Sequence, residues 1–156
     1  MGLLNIWSDG ACAGNPGPGG YAAAITNSNS TIVFMAGYAD YTTNNRMELN
    51  GFISALKLAL NEVLKGFNGE VVIHTDSKYI ENAINCGWLM KWARKGFVSI
   101  KNPDLWQEVY TVISKCDFIT VKWVKGHSGI IGNDIVDRLA VEAMNLKRTS
   151  NGIMEI

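Results

Sequence analysis

Two short apolar runs, each stopped by an aspartate, and the long helical run between them constrain this chain more than any other feature. Leu3 to Ser8 reads as a strand ending at Asp9-Gly10, and Val71 to Thr75 as a second strand ending at Asp76. Between them Asn44 to Leu64 carries Leu49, Phe52, Ile53, Leu56, Leu60 and Val63 at helical spacing, with Thr43 as N-cap. A strand-helix-strand crossover lays the second strand parallel to the first. If the two are neighbours, about 4.8 Å apart, Asp9 and Asp76 leave the sheet at the same end. Glu48 begins the helix stripe that faces the body.

The remaining segments follow local signals. The Gly/Pro/Asn stretch from Gly14 to Gly20 reads as a loop. Tyr21 to Thr26 and Thr31 to Ala39 read as strands paired through a turn at Asn27-Ser28-Asn29-Ser30, so the first three strands form an antiparallel meander. Asp76-Ser77 opens a short helix to Ile84; Asp104 to Ser114 is helical, Phe118 to Val124 a last strand, and Asn133 to Lys147 a final helix. The expected organisation is one domain over residues 1–147 and a loose tail over 148–156.

Composition narrows the class without naming it. The chain has 156 residues and is 47% apolar, enough for one real core. Lys+Arg 14 balance Asp+Glu 14, so only local patches bear on a nucleic-acid partner. Cys12, Cys86 and Cys116 form no CxxC pair or zinc spacing, which favours a reduced, cytoplasmic protein. MGLLNIWSDG lacks the basic start of a signal peptide, and no run approaches the roughly 20 apolar residues of a membrane span. A monomer with no membrane partner is expected.

Four acids stand in distinctive contexts: Asp9 in WSDGACAGNPGPGG, Glu48 in TTNNRMEL, Asp76 in VVIHTDSKY and Asp137 in GHSGIIGNDIVDRLA. Burying one carboxylate alone is costly; several together make sense around hard divalent cations. Each acid also has an ordinary reading. Asp9 could serve a turn, Asp76 a helix cap, Glu48 the helix dipole, and Asp137 a surface ion pair. The conjunction of all four favours a site. Gly17-Pro-Gly19-Gly-Tyr-Ala22 fits a dinucleotide GxGxxA pattern, but a short strand follows it where a helix is required.

These segments, with Asn102-Pro103-Asp104-Leu105-Trp106 and WVKGHSGIIGNDIVDRLA, resemble type 1 ribonuclease H in order and spacing from about Leu3 to Ala143. The resemblance implies an α/β ribonuclease H-like fold: a five-stranded mixed sheet, three strands antiparallel plus two parallel, flanked by α-helices. It implies an endoribonuclease that cuts the RNA strand of RNA–DNA hybrids, largely independently of sequence, leaving 5′-phosphate and 3′-hydroxyl ends. Asp9, Glu48, Asp76 and Asp137 would hold two Mg²⁺ ions, with Mn²⁺ able to substitute. One ion would activate the attacking water and the other would stabilise the leaving oxygen. His127 matches a histidine that assists proton transfer or product departure. Asp134 stands where glutamate is common. His74, inside a strand, reads as structural.

The same resemblance assigns the substrate contacts. Thr43 and Asn102 match a DNA-phosphate pocket, with Tyr41 where some relatives carry arginine. Asn15, Asn44 and Asn45 match residues reaching 2′-hydroxyls or base edges, the 2′-OH being what marks RNA. Cys12, Ser77 and Lys78 lie beside the acids and are assigned to the RNA backbone. GWLMKWARKGFVSIK, residues 87–101, interleaves Trp88 and Trp92 with Lys91, Arg94, Lys95 and Lys101 and contains no acid. By itself this segment fits a nucleic-acid grip or an amphipathic helix with core tryptophans equally well. It resembles the family's DNA-gripping protrusion in a shorter, less basic form, which implies weaker hybrid binding. Trp7, Trp106 and Trp123 read as core. The competing readings are another metal nuclease of the same broad fold (a 3′–5′ exonuclease or a resolvase) and a hybrid-binding module without catalysis.

Overall fold

The chain runs through β1 (Leu3–Cys12), β2 (Gly17–Ile25), β3 (Thr31–Thr42), α1 (Asn44–Leu64), β4 (Glu70–Thr75) and α2 (Lys78–Asn85). It continues through α3 (Trp88–Arg94), α4 (Pro103–Ile113), β5 (Ile119–Trp123), α5 (Ile131–Leu146) and β6 (Ser150–Glu155). These elements come from a computed structural model that describes residues 2–26, 31–116 and 118–155. The turn expected at Asn27–Ser30 lies outside the described residues.

One mixed sheet has the order β5-β4-β1-β2-β3-β6. β4 pairs in parallel with β1, as the crossover through α1 requires, and with β5, which follows it by way of α2, α3 and α4. β1, β2 and β3 form the expected antiparallel meander. Thr43 caps α1 as expected, its Oγ1 accepting the Arg46 amide at 3.3 Å.

Alternation along the strands divides the core between two faces. On one face Leu4, Ile6, Ala23 and Ile25 pack with Leu49, Phe52 and Leu56 of α1 and Trp106 and Val109 of α4. Full burial of each large side chain there stabilises the fold by roughly 1.5–3 kcal/mol. On the other face Ala22, Ala24, Ile32 and Ala36 pack against Val136, Leu139, Ala140 and Ala143 of α5.

Three expectations are corrected. β1 does not stop at Asp9-Gly10; it runs on to Cys12 because β2 keeps pairing with it as far as Cys12 opposite Gly19. β2 accordingly begins inside the glycine-rich stretch. Gly20 serves there for close packing: a Cβ on it would lie 2.0 Å from the Ala140 carbonyl oxygen of α5. The sheet has six strands where five were expected. α5 ends at Lys147 in the left-handed region (φ 52), which turns the chain back, and Ser150–Glu155 pairs antiparallel with the open edge of β3. The segment expected to be a loose tail is therefore β6. Among the described residues no helix is long and apolar enough to cross a membrane.

Candidate active site

The parallel register places Ser8 opposite Thr75, so the residues that follow, Asp9 and Asp76, emerge side by side from β1 and β4. Asp9 is 3% exposed and accepts the Gly10 amide at 2.8 Å. Glu48 comes from the first half of α1, which lies directly on β1 at Gly10, and is 7% exposed. Asp9, Glu48 and Asp76 each offer a carboxylate oxygen, and the three atoms lie within 4.8 Å of one another. Among the described residues the buried Glu48 Oε2 has no hydrogen-bond partner.

Burial and mutual repulsion oppose the ionisation of these groups. Burial, then the Asp76 charge, pushes Asp9 up to about 8; the Gly10 N–H pulls the other way and Asp137 adds to the rise. Glu48 is raised well above the usual carboxylate range, by burial first and then by Asp9 and Asp76. Asp76 is raised by burial, partly offset by its hydrogen bond with Asp9 and by His127. Asp137, on α5, stands at the rim with its side chain 35% exposed, outside the group of three but close enough to act on Asp9 and Asp76. A compact set of hard oxygen donors, one of them orphaned, fits a divalent cation, whose charge would reverse the shifts.

His127 Nδ1 lies 3.8 Å from Asp137 Oδ2, and its side chain is 83% exposed. Its loop passes over Asp76 at Gly126, where a Cβ would come within 2.8 Å of Asp76 Oδ2. Asp134 is exposed in the first turn of α5. His74 is part of the scaffold, as expected. It stacks on Trp7 with ring centroids 4.0 Å apart, and its Nε2 lies 3.0 Å from Asn5 Oδ1.

The RNase H family model matches residues 2–145. The chain belongs to the RNase H family. Ribonuclease H of Campylobacter concisus is 43% identical over 148 residues, covering 94% of this chain and 96% of the relative. Ribonuclease HI of Rickettsia conorii is 44% identical over 143 residues, 88% of each. The crystal structure of LC9-RNase H1, a type 1 RNase H with the type 2 active-site motif, is similar at TM-score 0.81 and 30% identity, over 99% of this chain and 77% of that one. LC11-RNase H1 in complex with RNA/DNA hybrid is similar in fold at TM-score 0.69 and 23% identity, over 92% of this chain and 97% of that one. The chain is thus an enzyme of the ribonuclease H class, a hydrolase, and the acidic cluster suits the divalent-metal dependence of that family.

Around the RNase H acids, the residues assigned to substrate fall into three groups. Asn15 Oδ1 accepts the Asn44 amide at 2.9 Å, joining the β1–β2 loop to the start of α1, where Asn45 is also exposed. Cys12 Sγ points at the Thr42 carbonyl, 3.5 Å away. Ser77 caps α2, its Oγ accepting the Ile80 amide at 3.2 Å. In the third group, Trp88 on α3 is 39% exposed and Lys91 is exposed, while Trp92 is half buried against Trp106 with ring centroids 5.1 Å apart. The two readings of this segment thus divide between the two tryptophans.

Sequence reasoning passed over Arg46 and misplaced Trp123. Arg46 lies inside TTNNRMEL, yet only the fold shows its reach. Its Nη1 donates to Asn102 Oδ1 at 3.3 Å, and its guanidinium grips Asp104 through both carboxylate oxygens at 3.1 and 2.7 Å. It thereby ties the Thr43 end of α1 to Asn102. Trp123, expected in the core, is 40% exposed. It ends the edge strand β5, so its ring lies at the rim of the sheet beside Asp76. Its size and apolarity suggested burial; its position overrode both.

Proposed function

We propose that this protein is an endoribonuclease that hydrolyses the RNA strand of RNA–DNA hybrids, largely without sequence preference, leaving 5′-phosphate and 3′-hydroxyl ends. The observation that carries the reading is the close trio of buried Asp9 and Glu48 with half-buried Asp76, with an orphaned Glu48 oxygen and Asp137 at the rim.

Asp9, Glu48, Asp76 and Asp137 would hold two Mg²⁺ ions, or Mn²⁺ in their place. Bound there, the metal supplies a lowered pKa for the attacking water and charge stabilisation for the leaving 3′ oxygen. His127, solvent-facing and next to Asp137, takes or returns a proton at its imidazole. Asn15, Asn44 and Asn45 present donors and acceptors to the minor groove and read the 2′-hydroxyl. Thr43 and Asn102, held in register by Arg46, receive a DNA phosphate. Cys12, Ser77 and Lys78 face the RNA backbone. Trp88 and Lys91, supported by Trp92, grip the DNA strand.

The test incubates the purified protein with end-labelled hybrid, duplex DNA and duplex RNA, with and without Mg²⁺. Internal cuts in the RNA of the hybrid alone, and only with Mg²⁺, are expected. Stepwise release of single nucleotides would instead mark an exonuclease. Binding without Mg²⁺-dependent cleavage would reduce the protein to a binding module.

A further inference from the structure

Trp123 makes two contacts with the Asp76 segment beyond the sheet ladder. Its backbone sits opposite Thr75, and the next amide, Val124 N–H, donates to the Thr75 carbonyl at 2.8 Å. One residue further on, where the ladder has ended, the Trp123 indole Nε1–H donates to the Asp76 carbonyl at 3.0 Å. On the same peptide group, the Ser77 amide donates to Thr75 Oγ1 at 3.1 Å. The backbone of Asp76 is thus pinned on both sides, and its indole partner comes from a different strand. The opposite use of the same side chain is its ring face. The Lys78 ammonium lies 4.4 Å from the ring centroid, while Glu81 takes the same ammonium at 3.4 Å.

A tryptophan is needed for this pair of contacts. Phenylalanine would keep a face for the cation and lose the N–H, and an aliphatic residue would lose both. An exposed tryptophan with its N–H spent on the backbone of an acid and its face under a lysine has a use that packing alone does not explain.

We propose that Trp123 is a positioning residue of the site: its indole N–H fixes the Asp76 backbone, and thereby the Asp76 carboxylate, while its ring face holds Lys78 toward the substrate. The Lys78 half rests on the hybrid-cleavage reading; the Asp76 half does not.

The test compares the parent with Trp123→Phe, Trp123→Leu, Lys78→Met and the Trp123→Leu/Lys78→Met double variant. Thermal unfolding monitors the fold, which a rim substitution leaves intact. Two readouts need no turnover: Mn²⁺ binding by calorimetry without nucleic acid, and hybrid binding by fluorescence anisotropy in metal-free buffer. Trp123→Phe is expected to weaken Mn²⁺ binding about tenfold, the usual scale for losing a partner that orients a metal ligand, and to leave metal-free hybrid binding unchanged. Trp123→Leu is expected to weaken both, hybrid binding by about threefold, as a partly exposed cation–π contact allows. In the Lys78→Met background the same ring removal is expected to cost hybrid binding nothing more.

Parental Mn²⁺ affinity in Trp123→Phe overturns the Asp76 anchor. Equal loss of hybrid affinity with and without Lys78 overturns the ring's role. A parent that binds Mn²⁺ but no hybrid rejects the hybrid-cleavage reading and the Lys78 half with it, and the Mn²⁺ titration then decides the Asp76 half alone.

Discussion

A Cβ placed on Gly10 would lie 2.4 Å from the backbone nitrogen of Glu48. The closeness of β1 and α1 at this point is what carries Glu48 into the same few ångströms as Asp9 and Asp76. The site is assembled from the later half of β1, the end of β4 and a helix turn, and this backbone-to-backbone approach fixes their spacing.

Gly10→Ala is therefore expected to push the first turns of α1 off the sheet. Overpacking of this kind costs about 1–3 kcal/mol, to be read from urea unfolding. Metal-dependent cleavage should fall further than the stability loss explains, because Glu48 moves with the helix.

The acids also set a pH dependence for the metal-free protein. The folded pKa of Asp9, about 8, lies above the ordinary 3.8. Its contribution to stability is fully present below the unfolded value and is lost as pH rises through the folded one. Glu48 and Asp76 are shifted in the same direction. In EDTA, the unfolding free energy should therefore fall as pH rises from about 4 to about 8, and divalent cation should restore it. Asp9→Asn should flatten this slope, keep the fold and abolish cleavage. Full activity in that variant would remove Asp9 from its assigned role.

Arg46→Ala separates positioning from stability. The Arg46–Asp104 pair is partly exposed, with side chains 35% and 62% accessible, so its loss should change stability by less than about 1 kcal/mol. Asn102 is held in a left-handed conformation (φ 56, ψ 46) and would lose its side-chain partner. Hybrid affinity is expected to drop by roughly two- to tenfold, the equivalent of one hydrogen bond. The Thr43 cap uses the backbone of residue 46 and should survive. Anisotropy titration alongside thermal unfolding measures both effects.

Stopping the chain before Ser150 should delete β6 and leave the site standing. Six residue pairs join β6 to β3. At about 0.2–1 kcal/mol each, their loss should cost on the order of 1–6 kcal/mol. Cleavage should persist, since no acid of the cluster lies on β3 or β6. The newly bared β3 edge should make the shortened protein more prone to association, which light scattering detects.

Local chemistry made much of this molecule legible. The apolar runs at Leu3–Ser8 and Val71–Thr75, the stripe from Leu49 to Val63 and the Thr43 cap are short-range patterns, and each produced its element. Chain logic did the next step: a single helical crossover between two strands leaves a parallel arrangement, and that brought Asp9 beside Asp76. The contexts of the four acids were enough to indicate the family and its enzyme class.

What the sequence alone left open was decided by neighbours distant along the chain. Gly17 to Gly20 had the composition of a loop and became strand, because β1 offered an unpaired edge and α5 needed a surface without side chains. Ser150 to Glu155 had no strong strand signal and became β6, because Lys147 turned it toward the free edge of β3. Trp123 had the character of a core residue and came to rest at the rim beside Asp76 and Lys78, because its strand was the last in the sheet. Periodicity and capping are written in consecutive residues. Open edges, close backbone approaches and the reach of Arg46 or Trp123 exist only once separate segments have packed, so they belong to the tertiary structure.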